Sequence, residues 1–169
     1  MAGRTPAGHR RHPWRALAAL AIGAAAVAGV GACAPITTQL EYSPSDGIRA
    51  DLGEELSVEN LLVLTTGQGE PALVVGGLTN HTAETITVTL TFGDAESVDI
   101  PIAGNDTVLL NPAHEGGLTT TLSASPVPPG ANLPVTISTP ASGSTTANVT
   151  VLDGTLEPYG TYLEFLDEV

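Results

Sequence analysis

Cys33 is the chain's one cysteine, and it closes the stretch Val30-Gly31-Ala32-Cys33 at the end of an apolar run. A thiolate is the strongest side-chain nucleophile available to a protein. Gly31 and Ala32 are small enough to enter a narrow peptidase cleft. The chemistry expected here is acceptance of a diacylglyceryl group on the sulfur, followed by cleavage ahead of Cys33. With no second cysteine there is no intrachain disulfide, so packing alone must hold the body together, even in an oxidising compartment.

Other reactive side chains are few. Beyond Cys33 there are two histidines, His81 and His114. His114 sits in Asn111-Pro112-Ala113-His114-Glu115-Gly116-Gly117, and both histidines fall in predicted loops. Together with a carboxylate they could form a metal site, and a small solute- or metal-binding module on these two residues is the alternative reading of the chain. Asp94, Glu96 and Asp99 are spread over a strand with alternating faces, which does not suit the gathered oxygens that calcium requires. The chain has one methionine, Met1. Past Cys33 it therefore offers no soft thioether for a Cu(I) or blue-copper site. No HExxH, Gly-x-Ser-x-Gly or Walker motif occurs, so no enzyme activity and no cofactor are expected.

The segment before Cys33 has the layout of a secretory leader. Arg4, Arg10, Arg11 and Arg15 form a positive flank, and residues 16–30 are Ala, Leu, Ile, Val and Gly only. Fifteen residues make roughly 22 Å of helix, short for a membrane span. Val30-Gly31-Ala32-Cys33 resembles a bacterial lipobox, with Val30 in place of the usual leucine. The implied layout is a signal peptide over 1–32, a tether over 33–55 and a folded domain over 56–169. The implied location is the outer face of the cytoplasmic membrane, held there by acyl chains.

All 18 acidic residues lie beyond Cys33, against a single basic one, Arg49, so residues 33–169 carry a net charge of −17. That charge repels phosphate backbones and anionic headgroups, which excludes nucleic acid as a partner and docking through a basic patch. It favours solubility, a basic partner surface or loose binding of cations.

The elements that must position these residues read as strands. Over Glu84–Phe92, Ile86, Val88, Leu90 and Phe92 share one face and Thr85, Thr87, Thr89 and Thr91 the other. Such period-two alternation of β-branched residues marks a half-buried strand. Asn80-His81-Thr82-Ala83 before it reads as a hairpin loop. Further apolar segments at 58–64, 72–78, 96–100, 107–110, 135–138 and 147–152 are separated by Gly, Pro and Asn turns. About seven strands with no helical stretch predict an all-β, immunoglobulin-like Greek-key sandwich, with a jelly roll as the alternative. Phe92 is the largest side chain expected in its aliphatic core. Tyr159, Tyr162 and Phe165 gather in the tail. With Tyr42 they are candidate interaction residues, or else they pin the terminus to the sandwich. The segment 34–55 has two possible arrangements, extended or packed along the domain through Tyr42, Ile48 and Leu52.

The lipobox together with Tyr42-Ser43-Pro44-Ser45-Asp46-Gly47, Asn60-Leu61-Leu62-Val63-Leu64 and Leu73-Val74-Val75-Gly76-Gly77-Leu78-Thr79-Asn80 resembles the LpqE lipoproteins of actinobacteria, most densely over residues 42–92. The resemblance implies a non-catalytic periplasmic lipoprotein, associated in mycobacteria with the respiratory cytochrome bcc–aa3 supercomplex. It brings no catalytic residues with it.

Replacing Cys33 with serine is expected to shift the protein from the membrane fraction to the soluble one and to remove the lipid mass. Membrane retention at unchanged mass contradicts the anchor.

Overall fold

The computed structural model describes residues 45–168. Cys33, Tyr42 and the leader lie outside them. Nine strands run β1 Ile48–Leu52, β2 Leu56–Thr65, β3 Ala72–Asn80, β4 Ile86–Phe92, β5 Glu96–Ile102, β6 Thr107–Leu110, β7 Thr120–Leu122, β8 Asn132–Thr139 and β9 Gly143–Leu152. A short helix, α1 Tyr159–Leu163, continues into a 3-10 turn, Glu164–Glu168. The strands order as β5-β4-β8-β9-β2-β3-β6, with β1 also on β2 and β7 also on β3. The result is a nearly closed, barrel-like β-sandwich, as the alternation predicts. One strand was not expected, β1, read as tether; the three-residue β7 falls within residues 118–123, where the sequence offers a weaker strand.

β2 shows how sequence makes this shape. Leu56 and Val58 point into the main core, and so do Leu61 and Val63. Strict alternation would put Asn60 and Leu62 there instead. The parity changes because β2 carries one extra residue against β3: Glu59 stands opposite Gly77, but Leu62 stands opposite Val75. Asn60 occupies this bulge at φ 52°, a left-handed conformation that asparagine tolerates far better than β-branched residues. Its side-chain Oδ1 accepts the Gly47 N–H at 2.9 Å. The backbones close in tightly on both sides. A Cβ on Gly47 would lie 2.5 Å from the Asn60 carbonyl carbon, and one on Gly76 would lie 3.1 Å from Leu61 Cα.

At this level both central strands exchange neighbours. β2 pairs with β1 through Leu61 and with β9, in parallel, over Leu62–Leu64. β3 pairs with β7 over Ala72–Val74 and with β6 over Gly76–Thr79. Strands that change sheet at a bulge form the corners of closed sandwiches. Beyond the bulge β2 and β3 are buried on both faces. Val63, Ala72 and Val74 face the main core, while Leu62, Leu64, Leu73 and Val75 form a second cluster on the other side. The unbroken runs Leu61–Leu64 and Leu73–Val75 are the sequence mark of that double burial. Phe92 is the largest fully buried side chain, as expected.

The link between β3 and β4 is not the hairpin that its length suggests. β3 pairs with β2, β6 and β7, and β4 with β5 and β8, so residues 81–85 cross between layers. Asn80, 1% exposed, is the reason. Its Nδ2 donates to the carbonyls of Glu84 (2.7 Å), Ile102 (3.2 Å) and Ala103 (2.9 Å). Its Oδ1 accepts the Thr82 N–H and hydroxyl. A buried amide satisfied on every side fastens this crossover to the β5–β6 turn. Residues 48–52 settle the arrangement of the supposed tether's end: they are packed as β1 against β2.

Asn60→Val is expected to lower the unfolding free energy by about 2 kcal/mol, since it cannot hold the left-handed conformation cheaply, and Asn60→Gly by less than half of that. Equal losses in denaturant titrations contradict the role given to this conformation.

Candidate functional site

The aromatic tail lies against its own domain. Tyr159 is 8% exposed and belongs to the cluster of Leu62, Leu64, Leu73 and Val75, and Leu152, Tyr162, Leu163 and Leu166 pack against it. Covering each such apolar side chain is worth about 1.5–3 kcal/mol. The Tyr159 and Tyr162 rings meet edge to face, 6.3 Å apart. The Tyr159 hydroxyl donates to Asp46 Oδ2 at 2.6 Å, so the two ends of the described chain are joined. Burial first, then the hydrogen bond and the charge of Asp46, push the Tyr159 phenol up to about 12. Phe165 is half-buried and stands outside that cluster. Tyr159 thus presents no ring to a partner, while Tyr162 and Phe165 keep part of their surface exposed.

The two histidines leave the sheet at different levels. His81 follows Asn80, the last residue of β3. The loop carrying His114 leaves β6 at Leu110, opposite Gly76, and rejoins the sheet where Thr120 faces Val74. From Gly76 to Asn80 is about 13 Å along the strand. The His81 Nε2 lies 2.9 Å from the Ser57 hydroxyl. His114 is exposed, and its N–H and carbonyl are bound to Asn111 and Gly117 within its own loop. Among the described residues no three His, Cys, Asp or Glu side chains gather as a metal centre would require. Glu96 and Asp99, two of the three carboxylates singled out on the β4–β5 hairpin, have partners of their own. Glu96 Oε2 accepts the Ser123 N–H, and Asp99 Oδ1 accepts the Thr89 hydroxyl.

One acidic residue stands apart, and sequence reasoning missed it. Glu55, in the turn between β1 and β2, is 8% exposed. Its Oε2 accepts the Thr139 hydroxyl, at the end of β8, at 2.8 Å and the Ser142 hydroxyl from the β8–β9 connection. The Ser142 N–H in turn donates to Thr139 Oγ1 at 3.1 Å. Glu55 also lines an open cleft of about 420 Å³ with Glu84, Thr85, Ile86, Thr87 and Pro140. Because Thr139 and Ser142 lie more than eighty positions away in sequence, no local spacing marks Glu55. The one local cue is a carboxylate placed directly before the inward-facing Leu56.

No protein-family model matches the sequence, and no curated protein matches it. Among solved structures, the chain is similar in fold to the copper-bound PCuAC domain from PmoF2, at 18% identity over 63% of this chain and 98% of that one, with a TM-score of 0.48. The apo PCuAC domain from PmoF1 is similar at 17% identity over 62% and 98%, with a TM-score of 0.46. At that level neither ligand nor role carries across.

A phenol whose native pKa is raised from 10 adds stability that is complete below pH 10 and lost as the pH climbs through 12. Thermal melts over that window should show a loss for the wild type that is absent from Tyr159→Phe. Parallel curves contradict the buried Tyr159–Asp46 contact.

Proposed function

We propose that the chain is a non-catalytic lipoprotein module, held by acyl chains on Cys33 at the outer face of the cytoplasmic membrane, whose acidic body docks a basic surface of a partner protein. The placement of charge carries this reading. Eighteen carboxylates follow Cys33 with one guanidinium among them. Of the acidic side chains described, all but Glu55 and Glu96 are exposed. Arg49 is itself engaged, 3.1 Å from Glu59 and 3.7 Å from Asp51. A field of one sign on a body confined near a membrane speeds encounter with a basic partner and repels acidic ones. The same charge holds the body off an anionic bilayer.

The resemblance to the LpqE lipoproteins makes a periplasmic surface of the respiratory supercomplex the first partner to test. A copper role, as the name of the PmoF2 domain states for that protein, would have to rest on His81, His114 and carboxylates. No methionine or cysteine lies within residues 45–168, and Cu(I) prefers sulfur.

Crosslinking of the tagged full chain in intact membranes, followed by mass spectrometry, tests location and partner together. The expected capture is an extracytoplasmic protein with a basic face, in a yield that falls as salt rises. Capture insensitive to salt, or recovery of cytoplasmic proteins alone, contradicts the reading.

A further inference from the structure

The Glu55 carboxyl group is mostly buried and has no cationic partner among the described residues. A carboxylate taken out of water costs several kcal/mol unless a cation or hydrogen bonds replace the solvent. Glu55 receives two hydroxyl donors, and both go to Oε2. No ion pair reaches it: Arg49, the only Lys or Arg after Arg15, is occupied by Glu59 and Asp51. Among the described residues no group donates to Oε1, and no partnerless side-chain oxygen there is sealed from solvent. Oε1 therefore opens outward, at a residue that lines the cleft. Thr139 and Ser142 fix the carboxylate before any ligand arrives, which lowers the cost of binding one.

The other walls narrow the ligand's chemistry. Glu84 supplies a second carboxylate, Thr85 and Thr87 supply hydroxyls, and Ile86 and Pro140 supply apolar surface. Two carboxylates refuse an anion. A bare divalent ion would need six to eight oxygens gathered around it, and no three metal-binding side chains come together among the described residues. Carboxylates beside apolar walls suit a cationic head on an aliphatic stem.

We propose that this cleft receives an alkylammonium or guanidinium group, the end of a lysine or arginine side chain on the docking partner. The proposal deepens the acidic-docking reading and rests on it for the identity of the source. Its chemistry can be tested without the partner.

The full chain in zwitterionic detergent would be titrated at low salt with n-butylammonium, with Nα-acetyl-lysine methylamide and with 1-pentanol, following the NMR signals of Thr85, Ile86 and Ala141. Saturable shifts with both amines and none with the alcohol are expected. Saturation by butylammonium alone assigns the cleft to a free amine and removes the side-chain source. Glu55→Gln keeps an acceptor for Thr139 and Ser142 and should weaken binding at least about tenfold. If that variant fails to fold, Glu84→Gln, at the exposed wall, makes the same comparison. An equal response to pentanol, or amine binding unchanged in the Gln variants, overturns the proposal. Amine binding with no partner captured in membranes would instead sink the docking reading and leave the cleft standing.

Discussion

The extra residue at Asn60 is the constraint on which the rest of the sandwich depends. It reverses the inward face of β2, and there β2 passes from β1 to β9 while β3 passes between β6 and β7. Glycines at 47 and 76 on either side let the backbones close on it. Because Leu61 and Val63 turn inward after the bulge, Leu62 and Leu64 turn outward and need a cover. The C-terminal helix is that cover, and through Tyr159 it is tied to Asp46, just ahead of β1. One residue's backbone conformation thus accounts for the sheet corner, the second core and the joined ends of the described segment.

Much of this was legible in the sequence where one physical rule acted alone. The alternation from Ile86 to Phe92 gave β4 and its buried face, and Phe92 was identified as the largest core side chain. The failures occurred where a distant contact overrode a local signal. Residues 80–83 look like a hairpin loop, but the Asn80 amide finds its carbonyl partners on β5 and beyond, some twenty residues away. Ile48–Leu52 reads as a punctuated tether because its strand character appears only when β2 lies beside it. The C-terminal helix could have been found: Tyr159, Tyr162, Leu163 and Leu166 fall at helical spacing, and the same four residues meet the second core.

The candidate site was less legible, for a related reason. Loop histidines are visible in a sequence as candidate ligands, and the carboxylates at 94, 96 and 99 are visible as too spread to gather. His81 and His114 prove to leave the sheet at different levels, and on the β4–β5 hairpin Glu96 holds the Ser123 N–H while Asp99 is taken up by Thr89 of the same hairpin. Glu55 carries no such signal, because its partners come from the far end of the chain. Burial of one carboxylate on a surface otherwise crowded with exposed ones gives the acidic body a fixed point. A diffuse field brings a basic partner near, and an oriented carboxylate in a cleft can select what enters it.

The most direct test of this account is a photocrosslinking residue placed at Thr85, on the rim of the cleft, and separately at His114, in intact membranes. The account predicts crosslinks from position 85 to a lysine- or arginine-bearing peptide of one extracytoplasmic protein, lost in the Glu55→Gln background, with little yield from position 114. Equal yields from both positions, or a crosslink at 85 that survives loss of the Glu55 charge, would contradict it.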